Sequence, residues 1–184
     1  MAHTGGVLLG GVVRGRPNPR YFRLPVRLKQ ALKRSGLTRR ALSRKAGVSD
    51  PLIGYLESGE RVPTVATIAR VAFGLSVSAP WLAFGIGDST APVNLTASDT
   101  MAARLRATRM ARALTKAALA RMVGLSPSAF AKIENGGQSG IDVIEALAKA
   151  LDVSPAWLAF GIGPQIVTSP RRGRPPAQSP ATAH

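Results

Sequence analysis

The sequence predicts an all-α protein built from two tandem five-helix domains, and three observations lead to that prediction. The segment LTRRALSRKAGVSDPLIGYLESGE, residues 37–60, is echoed by LTKAALARMVGLSPSAFAKIENGG, residues 114–137. A second echo follows each copy, VSAPWLAFGIG at residues 77–87 and VSPAWLAFGIG at residues 153–163. Apolar residues recur at helical spacing between turn residues within each copy. A repeat of this length indicates one fold that is used twice.

The repeat divides the 184 residues into five segments. We predict a flexible basic arm at 1–22, a first domain at 23–87, a linker at 88–98, a second domain at 99–163, and a disordered, proline-rich basic tail at 164–184. The copies align without a gap up to the third helix, but Ile68 then corresponds to Ile144, so the second copy is shorter by one position. The missing residue belongs to the loop after Gly136, because loops tolerate the loss of a residue and helices do not.

The helices of the first copy have recognisable start signals. We expect the first helix to open at Pro25 and to bury Val26, Leu28 and Leu32, while Arg27 faces outward. Gly36 should end it. Each later helix follows a residue that can accept a hydrogen bond from the backbone of its first turn; these caps are Thr38, Ser49, Thr64 and Ser78, and the fourth helix includes Phe73.

The second copy repeats this plan. Asp99, Thr115 and Ser126 are expected to cap its first three helices, and Pro127 to stand in the first turn of the third. The fourth helix is predicted at about 141–150, and the fifth from Pro155.

A tight glycine-containing turn joins the second and third helices of each copy, AGVS at 46–49 and VGLS at 123–126. Two short helices joined in this way form a helix-turn-helix, whose second helix enters the major groove of DNA. The charge agrees, since the net charge is +16, with 11 basic and 3 acidic residues at 21–87 and 8 and 4 at 101–163. A positive field of this size favours a polyanion, and duplex DNA is the densest common one.

Composition argues against several other classes of protein. There is no cysteine, so neither a disulfide framework nor a thiolate metal site can form, and His3 and His184 lie too far apart in sequence for a preassembled histidine site. The isolated Ser and Lys residues are explained by helix caps and surface charge, and we expect no metal site, no cofactor and no enzymatic activity. The glycine-rich start lacks the basic region of a signal peptide, and no apolar run approaches the roughly 18 residues of a membrane span. We therefore expect a cytoplasmic, nucleoid-associated protein that has no membrane partner.

Five helices, the AGVS turn, a Glu-Ser-Gly or Glu-Asn-Gly near the third helix and the L-x-V-S-x-x-W-L ending resemble the lambda-repressor-like family of Cro and Xre-type regulators. The resemblance covers about residues 23–87 and 101–163. It implies phosphate contacts from Arg39, Arg40 and Lys116 at the start of the second helix. It also implies base-reading positions on the third helix: Ser49, Asp50, Pro51, Leu52 and Tyr55 in the first copy, and Ser126, Pro127, Ser128, Ala129 and Lys132 in the second.

These positions differ in chemistry between the copies. Lys132 can donate to guanine, and Leu52 or Ala129 can pack on thymine methyl groups. Asp50 repels phosphate and can only accept, for example from cytosine, so the second copy is the better candidate for base reading. A repeat that has lost DNA binding and serves as a packing partner stays open.

The resemblance also implies an ion pair between the first helix and the glutamate that closes the third. The second copy keeps both partners, Arg109 and Glu134, whereas the first has Leu32 opposite Glu57. We expect Glu57 to pair with Arg27 or Arg61, or to remain solvated.

Both ends of the chain carry the motif R-G-R-P, which resembles the AT-hook of high-mobility-group chromatin proteins. The glycine would let the backbone approach the floor of a narrow minor groove, into which the flanking arginines extend. The residues concerned are Arg14, Arg16, Arg172 and Arg174. Non-specific charged tails are the alternative.

The function predicted from these features is a sequence-specific, double-stranded DNA-binding transcriptional regulator, a repressor of bacterial or phage origin. The alternatives are an adaptor that binds a protein through one helix-turn-helix face, such as an antiactivator or antitoxin, and an architectural nucleoid protein. A homodimer also stays open. The roughly 11 residues of the linker could span some 36 Å when extended, so one chain could occupy two successive major grooves of an asymmetric site as a tethered pseudo-dimer.

Overall fold

The computed structural model describes residues 23–90 and 100–166, and within these ranges the protein contains ten α-helices and no β-strand beyond one isolated bridge. The all-α prediction is confirmed. In the first repeat the helices are α1 (Arg23–Ser35), α2 (Arg39–Ala46), α3 (Asp50–Ser58), α4 (Val65–Leu75) and α5 (Ala79–Phe84). In the second repeat they are α6 (Met101–Ala111), α7 (Lys116–Met122), α8 (Pro127–Glu134), α9 (Ile141–Leu151) and α10 (Pro155–Phe160).

Most of the predicted caps are confirmed. The side chains of Thr38, Thr64, Thr115 and Ser126 each accept a hydrogen bond from a backbone N–H in the first turn of the helix that follows. Ser49 and Ser78 occupy cap positions without that bond, and a proline stands in the first turn after each. One assignment is wrong: α6 is capped by Thr100, which accepts from Ala103, and not by Asp99, which lies outside the described residues.

The start of α1 also differs from the prediction. The helix begins two residues before Pro25, which is buried within its first turn. Leu24 takes a core position one turn before Leu28, and Val26 is 59% exposed, so the prediction that Val26 is buried is wrong. Val26 lies two residues, about 200° around the helix, from the buried Leu28. Phe73 of α4 is exposed as well.

Each repeat encloses an apolar core formed by all five of its helices. Ile53 and Leu56 of α3 are fully buried. Phe130 and Ile133 are the corresponding buried residues of α8. Burial of one face of α3 and α8 leaves the opposite face of each helix directed away from its own core, and that face carries the candidate site.

In each repeat, an arginine near the start of the first helix donates hydrogen bonds to carbonyls at the end of the fifth helix, and we call this arrangement the clamp. Arg27 was predicted to face outward, but it donates to the carbonyl oxygens of Leu82 and Ala83 at 2.9 and 2.7 Å. Arg104, its counterpart in the second repeat, donates to Leu158 and Ala159, both at 3.1 Å. These bonds satisfy carbonyls at the end of a six-residue helix, where no further turn is available to do so. Burial and, to a lesser extent, the charge of Arg23 lower the pKa of Arg27, while the attraction to Glu145 raises it. The net result is a pKa below the ordinary value.

Part of the segment assigned to the linker folds back onto the first repeat. Ser89 accepts a hydrogen bond from the backbone N–H of Ser78 at 3.0 Å, and its hydroxyl contacts Arg34 at 3.3 Å. The second repeat has the matching bond from Ser154 to Gln165 at 2.7 Å. Each fifth helix is thus closed by the residues that follow it.

Candidate nucleic-acid interface

The turn between the second and third helices has the same backbone geometry in both repeats. Gly47 and Gly124 have φ angles of +62° and +71°, which glycine adopts without a steric penalty. The next residue of each turn then donates back into the preceding helix, Val48 to the carbonyl of Ser43 and Leu125 to that of Ala120, both at 2.9 Å. These bonds fix the direction in which α3 and α8 leave the turn.

The predicted base-reading residues lie at the start and on the outward side of α3 and α8. All of them are exposed except Leu52 and Ala129, which are half-buried. These two residues occupy equivalent positions, and Leu52 also packs against the core. The structure thus brings each predicted set together on one helix surface, while its contact with bases stays a prediction.

Asp50 has a partner within the protein. The hydroxyl of Ser43 on α2 donates to the carboxylate of Asp50 at the start of α3. Ala120 and Pro127 occupy the equivalent positions in the second repeat, so the contact belongs to the first repeat only. The positive end of the α3 dipole also favours this carboxylate. Asp50 therefore helps to join α2 to α3 within the helix-turn-helix of the first repeat.

The predicted base-reading helices, α3 and α8, are called the reading helices below. Their equivalent outward residues, Tyr55 and Lys132, have different surroundings. The guanidinium of Arg61 lies 4.9 Å from the ring centroid of Tyr55, in a cation–π contact. Lys132, which aligns with Tyr55 in the repeat, is exposed on α8. A groove of about 470 Å³ beside Tyr55 is lined partly by Lys29 and Arg39. No sequence pattern indicated that Lys29, an outward residue of α1, lies beside α3, since this depends on the packing of α1 against α3.

The predicted phosphate ligands Arg39 and Lys116 each form an ion pair with the buried glutamate of the following helix. Arg39 donates to Glu57, and the amino group of Lys116 lies 3.1 Å from Glu134. The prediction that Glu57 pairs with Arg27 or Arg61, or remains solvated, is therefore wrong, because the side chain of Glu57 is 7% exposed and its partner is Arg39. The side chains of Arg39 and Lys116 remain 64% and 48% exposed, so each cation is held in place at the surface.

The pairing of Arg109 with Glu134 is confirmed. Arg109 donates to Glu134 at 2.7 Å and to the carbonyl of Leu114 at 2.8 Å, and the glutamate side chain is fully buried. Burial alone raises the pKa of Glu134, but the bonds from Arg109 and Lys116 together outweigh it, and the pKa lies below its ordinary value. The ionised carboxylate thus connects α6, α7 and α8.

Two further basic residues bear on this surface. Arg40 is exposed, as its predicted role requires. Arg70 of α4 donates to the carbonyl of Gly47 at 3.1 Å and so supports the helix-turn-helix of the first repeat from behind. No sequence pattern pointed to Arg70, because its partner lies on a distant part of the chain.

The minor-groove residues predicted in the two ends, Arg14, Arg16, Arg172 and Arg174, lie outside the described residues. In the ranges that the structure does describe, no cluster of three or more potential metal ligands occurs. None of the helices described is long and apolar enough to cross a membrane.

Two family models match the chain, one to each repeat. A model described as "Helix-turn-helix" matches residues 28–82, and one described as "Helix-turn-helix domain" matches residues 100–159. No solved structure matches the chain significantly. The two matches together cover more than half of the sequence, and the chain belongs to the lambda-repressor-like helix-turn-helix family of Cro and Xre-type regulators, in two tandem copies. It is a DNA-binding regulator of that type, and families of this kind are typically not enzymes.

Proposed function

We propose that this protein is a sequence-specific repressor, of bacterial or phage origin, that reads the major groove of duplex DNA with α3 and α8. The observation that carries the proposal is the paired arrangement of an exposed reading surface and a cation fixed beside it. In each repeat the outward side of the third helix is exposed, and a basic residue at the start of the second helix is held by a buried glutamate.

The fixed cations suit contact with the phosphate backbone. Arg39 and Lys116 are the first residues of α2 and α7, where backbone N–H groups and the helix dipole also attract an anion. Phosphate contacts position a protein on the duplex without reading its sequence. The ion pairs restrict these side chains before DNA binds, which reduces the entropy lost on binding.

The second repeat carries the stronger base-reading chemistry. The hydroxyls of Ser126 and Ser128 lie 3.2 Å apart at the exposed start of α8, and Lys132 follows on the same helix. Lysine can donate to the O6 and N7 acceptors of guanine. In the first repeat Asp50 can only accept and is already bonded to Ser43. The hydroxyls of Ser49 and Tyr55 are then the donors among the predicted base-reading side chains of that repeat, so it offers fewer donors to the bases than the second repeat does. Repression then requires only occupancy of a site that polymerase also needs.

The test compares two single substitutions on a panel of duplexes. A preferred duplex is selected from a random pool, and each of its base pairs is then changed in turn. Lys132→Ala should lower affinity for the preferred duplex by about 1–3 kcal/mol and relax the preference at one base pair. Arg39→Ala should weaken binding to every duplex by a similar factor.

Three outcomes would count against the proposal. Equal losses for both variants on all duplexes would contradict base reading by Lys132. A preference for A·T richness alone would favour an architectural nucleoid protein. Absence of DNA binding, together with capture of a protein partner through one repeat, would favour an adaptor.

A further inference from the structure

The two repeats contact each other through equivalent backbone positions. Thr64 and Gly140 form an isolated antiparallel bridge. The backbone N–H of Val65 donates to Ser139 at 3.0 Å, and that of Ile141 donates to Pro63 at 3.1 Å. Val65 and Ile141 are equivalent positions of the repeat, as are Pro63 and Ser139, so the two bonds are the same bond made in both directions. Reciprocal contacts of this kind define a twofold interface.

A side-chain contact repeats the same symmetry. Phe84 and Phe160, which are also equivalent positions, have ring centroids 6.3 Å from each other at an interplanar angle of 53°. This distance and tilt lie in the range favoured by aromatic pairs. The rings stand at the ends of α5 and α10, which contact each other and are clamped by Arg27 and Arg104. The interface therefore joins two fixed helices as well as a backbone bridge.

We propose that the two repeats form a covalent pseudo-dimer that holds α3 and α8 at one fixed separation and rotation, so that a single chain binds one asymmetric duplex site. This inference rests on the proposed function and specifies its ligand. The ligand is a continuous duplex with two unlike half-sites at a single spacing. The sequence predicts a tethered pseudo-dimer and leaves open a repeat that serves as a packing partner, but it assigns no contact between the repeats. The bridge and the aromatic pair supply that contact.

The length of chain between each reading helix and the bridge is compatible with reading helices that lie one turn of DNA apart. Residues 59–64 connect the end of α3 to the bridge, and residues 135–140 connect the end of α8 to it. Six residues span at most about 20 Å, and the two bridge residues lie about 4.5 Å apart, so the ends of the two reading helices lie within about 45 Å of each other. One turn of DNA, about 34 Å, falls inside that limit.

The half-sites differ because the two reading surfaces differ. Tyr55 with its stacked Arg61 occupies in α3 the place that Lys132 occupies in α8. Asp50 and Pro127 likewise occupy equivalent places at the helix starts. A perfect palindrome would present one of these two surfaces with a half-site that suits the other.

Variation of the spacing between the half-sites tests the rigid arrangement. One inserted base pair moves a half-site by about 3.4 Å and rotates it by about 35° relative to the other. We expect a loss of at least tenfold in affinity for insertions or deletions of one or two base pairs, and for an insertion of five base pairs an affinity that falls to that of a duplex carrying one half-site. Selective binding with equal affinity at all spacings would overturn the pseudo-dimer and leave the proposed function standing. Absence of selective binding at any spacing would instead remove the proposed function.

A cross-link tests whether the joined form is the one that binds DNA. The chain contains no cysteine, so Thr64→Cys with Gly140→Cys introduces a single pair. Thr64 and Gly140 lie opposite each other between the two hydrogen bonds of the bridge, those from Val65 and Ile141. In an antiparallel pair of this kind the Cα atoms are about 4.5 Å apart, which a disulfide can span. We expect intrachain oxidation, and an oxidised monomer whose affinity stays within about threefold of the reduced form, with one chain per duplex by mass.

The single-cysteine variants are the controls, because they can cross-link only between chains. A Cβ at Gly140 would meet the carboxylate of Asp142, so the Asp142 side chain must turn aside in the variant. Failure of a double variant that folds and retains reduced-state DNA binding to form an intrachain disulfide would overturn the interface. Loss of DNA binding on oxidation, with binding retained in the reduced form, would show that the repeats separate on DNA and would also overturn it. Two chains on each duplex would contradict binding by a single chain.

Discussion

Replacement of Arg104 by methionine should destabilise the second repeat strongly. Arg104 is 5% exposed, and its guanidinium donates to two carbonyls at the end of α10. Methionine keeps much of the apolar stem but has no donor. The matched variant is Arg27→Met, since Arg27 makes the same two bonds to α5 in the first repeat but is only half-buried.

The size of the effect follows from the bonds that are lost. A hydrogen bond from a charged donor contributes about 1.5–3 kcal/mol to stability, and carbonyls left buried without a partner add to the loss. Removal of the buried charge offsets part of it. We expect a decrease of about 3 kcal/mol for Arg104→Met and about half as much for Arg27→Met, because water can replace the half-buried donor. These are large fractions of the roughly 5–15 kcal/mol typical of a domain.

The two tryptophans allow each repeat to be followed separately. Trp81 lies in α5 and Trp157 in α10, so the Trp81→Phe and Trp157→Phe backgrounds each report on one repeat. Urea unfolding followed by fluorescence in both backgrounds gives the free energies of unfolding. A change below about 1 kcal/mol for Arg104→Met, or a larger loss for Arg27→Met, would refute the assigned role of the buried clamp.

Two further predictions concern backbone strain and pH. Ala113 has a φ of +51° where the first repeat has Gly36 at +67°, so Ala113→Gly should stabilise the protein by about 1 kcal/mol and Gly36→Ala should destabilise it similarly; thermal unfolding would contradict this if both changes had the same sign. The lowered pKa of Glu134 means that its carboxylate adds stability above its ordinary pKa near 4.5, and that this stability is lost as the pH falls through the lower folded value. Glu134→Gln should therefore flatten the dependence of unfolding free energy on pH below about 5, and an unchanged dependence would contradict the assignment.

The sequence predicted those parts of the fold that depend on local chemistry. Thr38, Thr64 and Thr115 act as caps because a threonine oxygen satisfies a backbone N–H three residues on, and that requirement is visible in the sequence. The start of α1 was harder to predict, since no capping residue marks it. The error over Val26 has a different cause, since Val26 lies about 200° around the helix from the buried Leu28 and so faces solvent.

The parts that could not be predicted are contacts between distant residues. Arg27 and Arg104 have the pattern of surface residues, and only the packing of α5 and α10 brings carbonyls to them from the far end of each repeat. Glu57 pairs with Arg39 because α2 and α3 meet at the turn, although Arg61 is much closer in sequence. The bridge between Thr64 and Gly140 depends on the arrangement of two whole domains. The assignment of base-reading residues came from the family resemblance and stays a prediction.

The dependence of DNA affinity on salt tests the central claim most directly. The preferred duplex and a shuffled duplex of the same composition are titrated with the protein at several salt concentrations. If about six to ten phosphates are neutralised, log K should fall against log[salt] with a slope of about −5 to −9, and the preferred duplex should bind more tightly at every salt concentration. A slope near zero, or equal affinity for the two duplexes throughout, would contradict the account.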